Sequence, residues 1–231
     1  MSTGKSENIN PKATIWVVDI ADVDEDWEEI FDGAEMVFHL AAKARVQPSI
    51  DNPVEFDRTN VGGLLNMLDC SREYGVKRFV YCRLFSELYG LSTTCLRYFN
   101  VYGERQLLEG AYCLVMGKFA QQKLNGEPLT IRGSGHQRRD FTYVGDVVDA
   151  NMRAAFNDLV LKGEPFNIGN GDNRSVKHIA KLIGGETTNV DPVIEPRETL
   201  ADNSKVKFFL GWEPKGNLEE WIKTYKEELG I

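Results

Sequence analysis

The sequence predicts an α/β protein whose core is a parallel β-sheet. The main observation is that short apolar runs alternate with segments of helical periodicity through the first half of the chain. The runs at 34–39, 76–81 and 92–98 are rich in β-branched and aromatic residues and are predicted strands. A long helical stretch lies between the first two, from about Val54 to Tyr74, and Gly75 ends it. In sheets of this kind, ligands bind at the carboxyl ends of the strands.

Other elements follow from the same periodicities. Ala13 to Val18 is a short apolar run that predicts a strand, and a helix is predicted at 25–31 and another at Leu84 to Tyr89. The second half of the chain has a different pattern. Its predicted elements are helices at 111–125, 176–183 and about 218–228, an extended run at 128–131, and a strand and helix between 141 and 157. This half is predicted to form a smaller α+β lobe.

Composition and charge exclude several classes of function. The net charge of -8 argues against nucleic acid as a partner, because a protein that binds the phosphates of a nucleic acid needs a basic surface. The longest apolar stretches, such as 36–42, are far shorter than the ~20 residues that cross a bilayer, and the N-terminus has no apolar signal core. We therefore expect a cytoplasmic protein with no membrane contact. The four cysteines contain no C-x-x-C pair and predict reduced, buried thiols without a metal site.

Seven motifs occur in order along nearly the whole chain. They are Asp19-Ile20, His39-Leu-Ala-Ala42, Asn60-Val-x-Gly63, Leu96-Arg-Tyr-Phe-Asn-Val-Tyr-Gly103, Gly133-x-Gly-x-Gln-x-Arg-Asp-Phe-Thr-Tyr-Val144, Phe166-Asn-Ile-Gly-x-Gly171 and Leu210-Gly-Trp-x-Pro214. Together they resemble the NAD-dependent nucleotide-sugar epimerase/dehydratase family, the extended short-chain dehydrogenases/reductases, with UDP-glucose 4-epimerase as the most similar type. The resemblance implies a Rossmann-like sheet and a 4-epimerase that oxidises C4 of a nucleotide sugar and reduces it again, with NAD as the cofactor.

The resemblance also assigns ligands to regions and residues. Residues 1–104 would form a partial NAD-binding region and 105–231 mainly a substrate-binding lobe, with 141–170 returning to the sheet. The implied NAD contacts are Asp19, Ile20, Leu40, Ala41, Ala42, Asn60 and Tyr98, and the implied UDP-sugar contacts are Asn100, Leu114, Arg139 and Arg197. The family implies a homodimer formed through two helices per subunit, one of them the stretch from Val54 to Tyr74.

Several of these residues have a structural alternative. Propensity disfavours Asn60 inside a helix, so its amide is expected to have a partner elsewhere, unless it marks a kink beside Gly62. Arg139 can clamp a diphosphate through its guanidinium or form a solvated salt bridge. Asp140 either orients its loop or contacts ligand. His39 is expected to be structural, and its motif can also be a tight packing element after the strand.

The sequence departs from the family pattern in three places. A G-x-x-G-x-x-G turn, which binds the pyrophosphate of NAD, does not occur, so the N-terminal unit is expected to be truncated. No Tyr-x-x-x-Lys segment follows the strand at 76–81, so no catalytic residue is assigned; Ser86 and Tyr89 are expected to pack within a helix. The glycine and acid of the usual R-x-G-E motif are missing at 195–202. The alternative functions are those of a nucleotide-sugar 4,6-dehydratase relative and of a non-catalytic sugar-nucleotide-binding protein. Three explanations of the missing segments stay open: the sequence is incomplete, the protein is a shortened relative, or a second copy of the chain completes the sheet.

Overall fold

A computed structural model describes residues 4–22, 27–43, 46–80, 91–110, 113–157, 163–193 and 195–231. The chain forms two compact units. The first is Met1–Cys95 with Ala154–Pro165, and the second is Leu96–Arg153 with Phe166–Ile231. The boundary predicted at residue 104 concerns the ligand that each region binds, and it stays a prediction.

The first unit is built around parallel strands and helical crossovers. Its elements are a 3-10 turn (Ser6–Asn8), α1 (Glu28–Phe31), β1 (Met36–Phe38), α2 (Val46–Asp51), α3 (Pro53–Asp57), a π-helical segment (Arg58–Gly62), α4 (Gly63–Glu73), β2 (Arg78–Val80) and β3 (Ser92–Tyr98), whose end enters the second unit. Strand β2 is central, with Phe79 opposite Val37 of β1 and Thr93 of β3, and both pairings are parallel. The predicted α/β fold with a parallel sheet is confirmed.

The long predicted helix is confirmed as a continuous helical run from Pro53 to Glu73. Its buried residues Leu64 and Leu68 pack against Phe79 of the central strand, which removes apolar surface from water and holds the helix against the sheet. Gly75, with φ of 71°, lies just beyond its end, where a left-handed conformation favours glycine.

The strand predicted for Ala13–Val18 is wrong. Residues 14–19 are neither strand nor helix, and Val17 is 83% exposed. β-branched residues favour extended backbone, but a strand forms only when its backbone groups pair with a neighbour, and among the described strands none pairs with this run. The helix predicted at Leu84 to Tyr89, with Ser86, lies outside the described residues.

The remaining elements belong mainly to the second unit. They are β4 (Val101–Tyr102), α5 (Val115–Leu124), β5 (Leu129–Arg132), β6 (Arg138–Asp140), β7 (Thr142–Tyr143), α6 (Val144–Ala155), β8 (Pro165–Ile168), β9 (Asn173–Ser175), α7 (Val176–Ile183), β10 (Thr187–Val190), α8 (Ser204–Leu210) and α9 (Leu218–Leu229). Strands β4 and β7 pair in parallel, as do β5 and β10, while β6 and β9 are antiparallel.

The core of the second unit lies between helices α5, α7 and α9 and strand β5. Phe119, Ile131, Ile179 and Ile222 are among its buried residues. Helix α7 begins where the Ser175 hydroxyl accepts a hydrogen bond from the backbone N–H of His178, which satisfies one of the first-turn donors. Two polar segments of the same unit, 133–140 and 195–199, carry two of the predicted substrate residues, Arg139 and Arg197.

A buried carboxylate fixes the approach to α9. Asp146 in α6 accepts hydrogen bonds from the backbone N–H groups of Lys215 and Gly216, at 3.0 and 2.8 Å from its Oδ2. Its carbonyl accepts from the indole Nε1 of the fully buried Trp212, at 2.8 Å. Burying a charge is costly unless it is hydrogen-bonded, and here the backbone donors meet that requirement.

Candidate functional site

The loop after β1 carries three of the residues predicted to contact the cofactor. Leu40, Ala41 and Ala42 are exposed, with Leu40 at 68%. His39, immediately before them, is buried with its ring stacked on Phe79 at 5.9 Å between centroids. Burial lowers the pKa of His39, so its imidazole is neutral at pH 7. The loop therefore presents small and apolar side chains to solvent above an anchored histidine.

Asn60 fixes the far end of this loop. Its Oδ1 accepts from the backbone N–H of Lys43 at 2.7 Å, and its Nδ2 donates to the carbonyl of Lys43 at 2.8 Å. The prediction that the Asn60 amide has a partner elsewhere is thus confirmed, and the partner is the backbone of Lys43. Asn60 also lies inside the π-helical segment Arg58–Gly62, so the local helix is irregular as well. Such π-helical turns are frequent at functional sites.

Asp19 and Ile20 contact the same helical run. The Arg58 guanidinium donates to Asp19 Oδ2 at 2.9 Å, and the Ala21 N–H donates to Oδ1 at 3.0 Å. The Ala21 N–H and then Arg58 lower the pKa of Asp19, which keeps the carboxylate ionised. The carbonyl of Ile20 accepts from Asn66 at 3.0 Å, and a Cβ at Gly63 would lie 2.8 Å from the Ile20 side chain. The structure therefore brings Asp19 and Ile20 against the helical run that carries Asn60, and Asn60 in turn holds Lys43 at the end of the loop with Leu40, Ala41 and Ala42.

Replacing Asn60 with alanine should loosen the loop after β1. Two hydrogen bonds to Lys43 are lost, and because each is worth about 1 kcal/mol, the Lys43 amide should exchange with solvent roughly 10-fold faster or more. Hydrogen exchange followed by NMR measures this. Asn66→Ala, on the same run but bonded to Ile20, is the control and should leave Lys43 unchanged. Equal exchange at Lys43 in both variants would show that Asn60 does not hold the loop.

Tyr98 and Asn100 lie in the second unit. The Tyr98 hydroxyl donates to Asn151 Oδ1 at 2.9 Å, which ties the end of β3 to α6. The carbonyl of Asn100 accepts from the backbone N–H of Thr142 at 3.1 Å. The Asn100 side chain is half-buried at the bend after β3. The chain after Asn100 thereby lies alongside the segment that follows Arg139.

Arg139 lies on β6 with its side chain only 13% exposed. Its Nη2 donates to Glu195 Oε2 at 2.5 Å, and its Nη1 donates to the carbonyl of Arg138 at 2.7 Å. Gln137 Nε2 donates to the other oxygen of the same carboxylate at 3.1 Å. The salt bridge that the sequence left as an alternative is present, but it is largely shielded from solvent. Arg139 and Gln137 together bind a carboxylate.

Asp140 orients the loops around β6. It is fully buried, and its carboxylate accepts from the backbone N–H of Asn170 at 2.8 Å and from those of Gly171 and Ala201 at 3.0 Å. Of the two roles that the sequence left open, the structure supports loop orientation. The Phe166-Asn-Ile-Gly-x-Gly171 motif ends on this carboxylate.

Arg197 and Leu114 are positioned differently. The carbonyl of Arg197 accepts from the backbone N–H of Arg138 at 2.9 Å, and the Arg197 side chain is exposed beside β6. Leu114 precedes α5 and packs, half-buried, against the core that includes Phe141. The structure therefore brings Arg139 and Arg197 to one strand, while Leu114 reaches that region only through the core.

Sequence reasoning missed a charged network beside this region. Arg174 on β9 donates to Asp172 at 2.5 Å and to Glu219 at 2.7 Å, and these groups line a cavity of about 310 Å³ together with Lys215 and Asn170. Asp172 and then Glu219 raise the pKa of Arg174. Arg174 and Glu219 are 45 residues apart, so no local signal identifies that pair. Glu195, the partner of Arg139, was missed for the same reason.

The comparison with known proteins decides the family. A family model described as the NAD dependent epimerase/dehydratase family matches residues 2–83 and 80–169. The chain belongs to this family.

Individual relatives and solved structures agree with that membership. A putative UDP-glucose 4-epimerase of Methanocaldococcus jannaschii is 34% identical over 268 residues, covering 96% of this chain and 86% of the relative. The crystal structure of a Thermotoga maritima UDP-glucose 4-epimerase with UDP-glucose has a TM-score of 0.86 and 32% identity, covering 99% of this chain and 89% of that one. A Thermus thermophilus UDP-glucose 4-epimerase complex with NAD has a TM-score of 0.85 and 26% identity, with coverage of 100% and 89%.

NAD is the cofactor of the epimerase/dehydratase family. In the first unit, the residues that could hold its adenosine part are Asp19, whose ionised carboxylate could accept from an amino group, and the exposed loop Leu40–Ala42. A glycine-rich turn for the pyrophosphate does not occur in this sequence.

Among the described residues no group of histidine, cysteine and acidic side chains could hold a metal ion. No helix in this part of the chain is long and apolar enough to span a membrane.

Proposed function

We propose that this chain binds a UDP-sugar as the UDP-glucose/UDP-galactose 4-epimerases of its family do. The observation that carries the proposal is the shielded guanidinium of Arg139, which already binds a carboxylate beside the exposed Arg197. An arginine in that setting can bind the oxygens of a diphosphate, because its planar donors match phosphate geometry. UDP-glucose 4-epimerases among the relatives support this choice of ligand.

The residues of this chain would divide the task between cofactor and substrate. Asp19, Ile20, Leu40, Ala41, Ala42, Asn60 and Tyr98 would hold NAD, which supplies the hydride acceptor for C4 of the sugar. Arg139, Arg197, Asn100 and Leu114 would hold the nucleotide sugar, with Arg139 neutralising phosphate charge. No residue of this chain is assigned to move the proton of the C4 hydroxyl.

A second candidate function is sugar-nucleotide binding without catalysis. It is favoured by one specific observation: no Tyr-x-x-x-Lys segment occurs in the sequence. In the family this tyrosine acts as the base, with the lysine tuning its pKa. The sugar specificity is also a proposal, because the relatives include a UDP-glucuronic acid decarboxylase of Arabidopsis thaliana at 28% identity.

Calorimetric titration with UDP and a turnover assay test the two candidates together. Denaturing the purified chain releases any bound NAD, and the absorbance of the released cofactor gives its amount. Turnover of UDP-galactose is followed by coupling the UDP-glucose formed to UDP-glucose dehydrogenase. Binding of UDP with turnover supports a 4-epimerase, and binding without turnover supports the non-catalytic candidate. A chain that binds no UDP contradicts both.

We also propose that the protein is a homodimer that pairs through its long helical run. Val54, Val61 and Leu65 are exposed on that run, and the four-residue spacing of Val61 and Leu65 places those two on one face. Isolated exposed apolar residues are ordinary, but a row of them on one helix is typical of an interface.

A cytoplasmic location is proposed as well. It is supported by the described cysteines, Cys70, Cys95 and Cys113, which form no disulfide. These thiols were predicted to be buried, and the structure shows them half-buried.

Leu65→Glu should convert the dimer to a monomer. A carboxylate placed in an apolar interface loses its hydration without gaining a partner, and the dissociation constant should rise by about 100-fold or more. Sedimentation equilibrium measures this. Leu124→Glu, an exposed leucine on α5, is the control and should leave the dimer unchanged. A wild-type chain that sediments as a monomer contradicts the proposal.

A further inference from the structure

The carboxylate of Glu195 occupies the position of a bound anion. Arg139 Nη2 donates to its Oε2 at 2.5 Å, and Gln137 Nε2 donates to its Oε1 at 3.1 Å, so each oxygen has its own donor. The Glu195 side chain is 34% exposed, against 13% for Arg139. The arrangement is that of an arginine and an amide binding a carboxylate or phosphate ligand, except that the anion belongs to the chain itself.

The backbone on both sides of Glu195 is fastened to the loop that carries Arg139. On one side, the Gly133 N–H donates to the carbonyl of Val190 at 2.9 Å. On the other, the Thr199 N–H donates to the carbonyl of Arg138 at 3.1 Å. Glu195 itself is held only through its side chain, because its backbone makes no hydrogen bond with another described residue. The carboxylate can therefore leave Arg139 without breaking the backbone pairing around it.

We propose that Glu195 is an internal anionic ligand of Arg139, which an incoming phosphate must displace. A carboxylate and a phosphate on one guanidinium repel each other, so the two compete for it. The inference rests on the proposed function in that it takes the diphosphate of a UDP-sugar as the natural anion. Phosphate can bind Arg139 only in the molecules whose Glu195 carboxylate has left it. The apparent affinity for phosphate is therefore the intrinsic affinity multiplied by the fraction of such molecules. Glu195 thereby sets how tightly the site binds anions.

Glu195→Gln tests this directly, since glutamine keeps the size of the side chain and removes its charge. We expect UDP and inorganic pyrophosphate to bind about 3- to 10-fold more tightly to this variant than to the wild type, measured by calorimetry. The matched control is Glu198→Gln, which removes the same charge from the same segment. The Glu198 carboxylate accepts from Asn173 Nδ2 at 2.7 Å, whereas the ion pair of Arg139 is with Glu195.

Each outcome decides the inference. Tighter binding in Glu195→Gln alone supports it. An equal gain in Glu198→Gln, or UDP affinity unchanged in Glu195→Gln, overturns it and leaves the proposed function intact. Tighter pyrophosphate binding in Glu195→Gln, with no UDP binding to either protein, supports the inference and contradicts the proposed function. No binding of either probe to the wild type or to Glu195→Gln overturns both.

Discussion

Replacing Asp140 with alanine should lower the free energy of unfolding by about 3–5 kcal/mol. Three backbone N–H groups, those of Asn170, Gly171 and Ala201, donate to this fully buried carboxylate. The substitution leaves one buried donor, the N–H of Ala201, and two part-buried donors without their acceptor, and each unsatisfied buried donor costs about 1–3 kcal/mol. Urea unfolding followed by circular dichroism measures the loss.

The matched control is Asp149→Ala. Asp149 is an exposed carboxylate that pairs with Arg153 at 2.7 Å on the same face of α6. Exposed ion pairs of this kind contribute no more than about 1 kcal/mol, so this variant should unfold nearly as the wild type does. Asp140→Asn should be intermediate, because the amide keeps one acceptor oxygen. A loss below about 1 kcal/mol for Asp140→Ala would mean that the three donors find other acceptors.

Replacing Arg139 with alanine should weaken UDP binding by about 1.5–3 kcal/mol, which is roughly 10- to 150-fold. The variant loses the shielded guanidinium proposed to bind the diphosphate. Glu195 keeps its charge and then has no arginine to neutralise it, so repulsion of the phosphate adds to the loss. Calorimetric titration with UDP gives the affinity.

Two further variants make this result specific. Arg139→Lys keeps the charge and loses the planar pair of donors, so its affinity should lie between those of the wild type and the alanine variant. Arg132→Ala removes an exposed arginine of β5 and should change UDP affinity less than about twofold. If Arg132→Ala and Arg139→Ala weaken UDP binding equally, general charge rather than a clamp explains the binding.

The elements that the sequence predicted well are those in which local pattern and packing agree. Helix α7 at Val176–Ile183 and strand β3 at Ser92–Tyr98 match their predicted ranges. In both, the apolar period and the residues at the ends point to one structure. The run Ala13–Val18 has the composition of a strand, but composition cannot supply a partner, and the strand prediction failed there. Strand β6 was missed because Arg138–Asp140 is polar, and its pairing with β9 carries no apolar alternation.

The candidate site could be predicted by residue type but not by contact. An unfavourable helix position predicted that Asn60 has a partner, and the partner is the backbone of Lys43, which no side-chain pattern marks. The alternatives for Arg139 named both a clamp and a salt bridge, but its partner Glu195 lies 56 residues away in the sequence. Such pairs depend on tertiary packing, which a single sequence does not encode locally.

The buried carboxylates of the second unit constrain the order in which it is completed during translation. Asp146 accepts from residues up to 70 positions later in the chain, and Asp140 from Ala201, 61 positions later. On the ribosome, both acids stay hydrated until those residues emerge, because a carboxylate without donors cannot be buried cheaply. The second unit can therefore close its interior only after Gly216 has been synthesised, and until then its nascent apolar residues are exposed to aggregation.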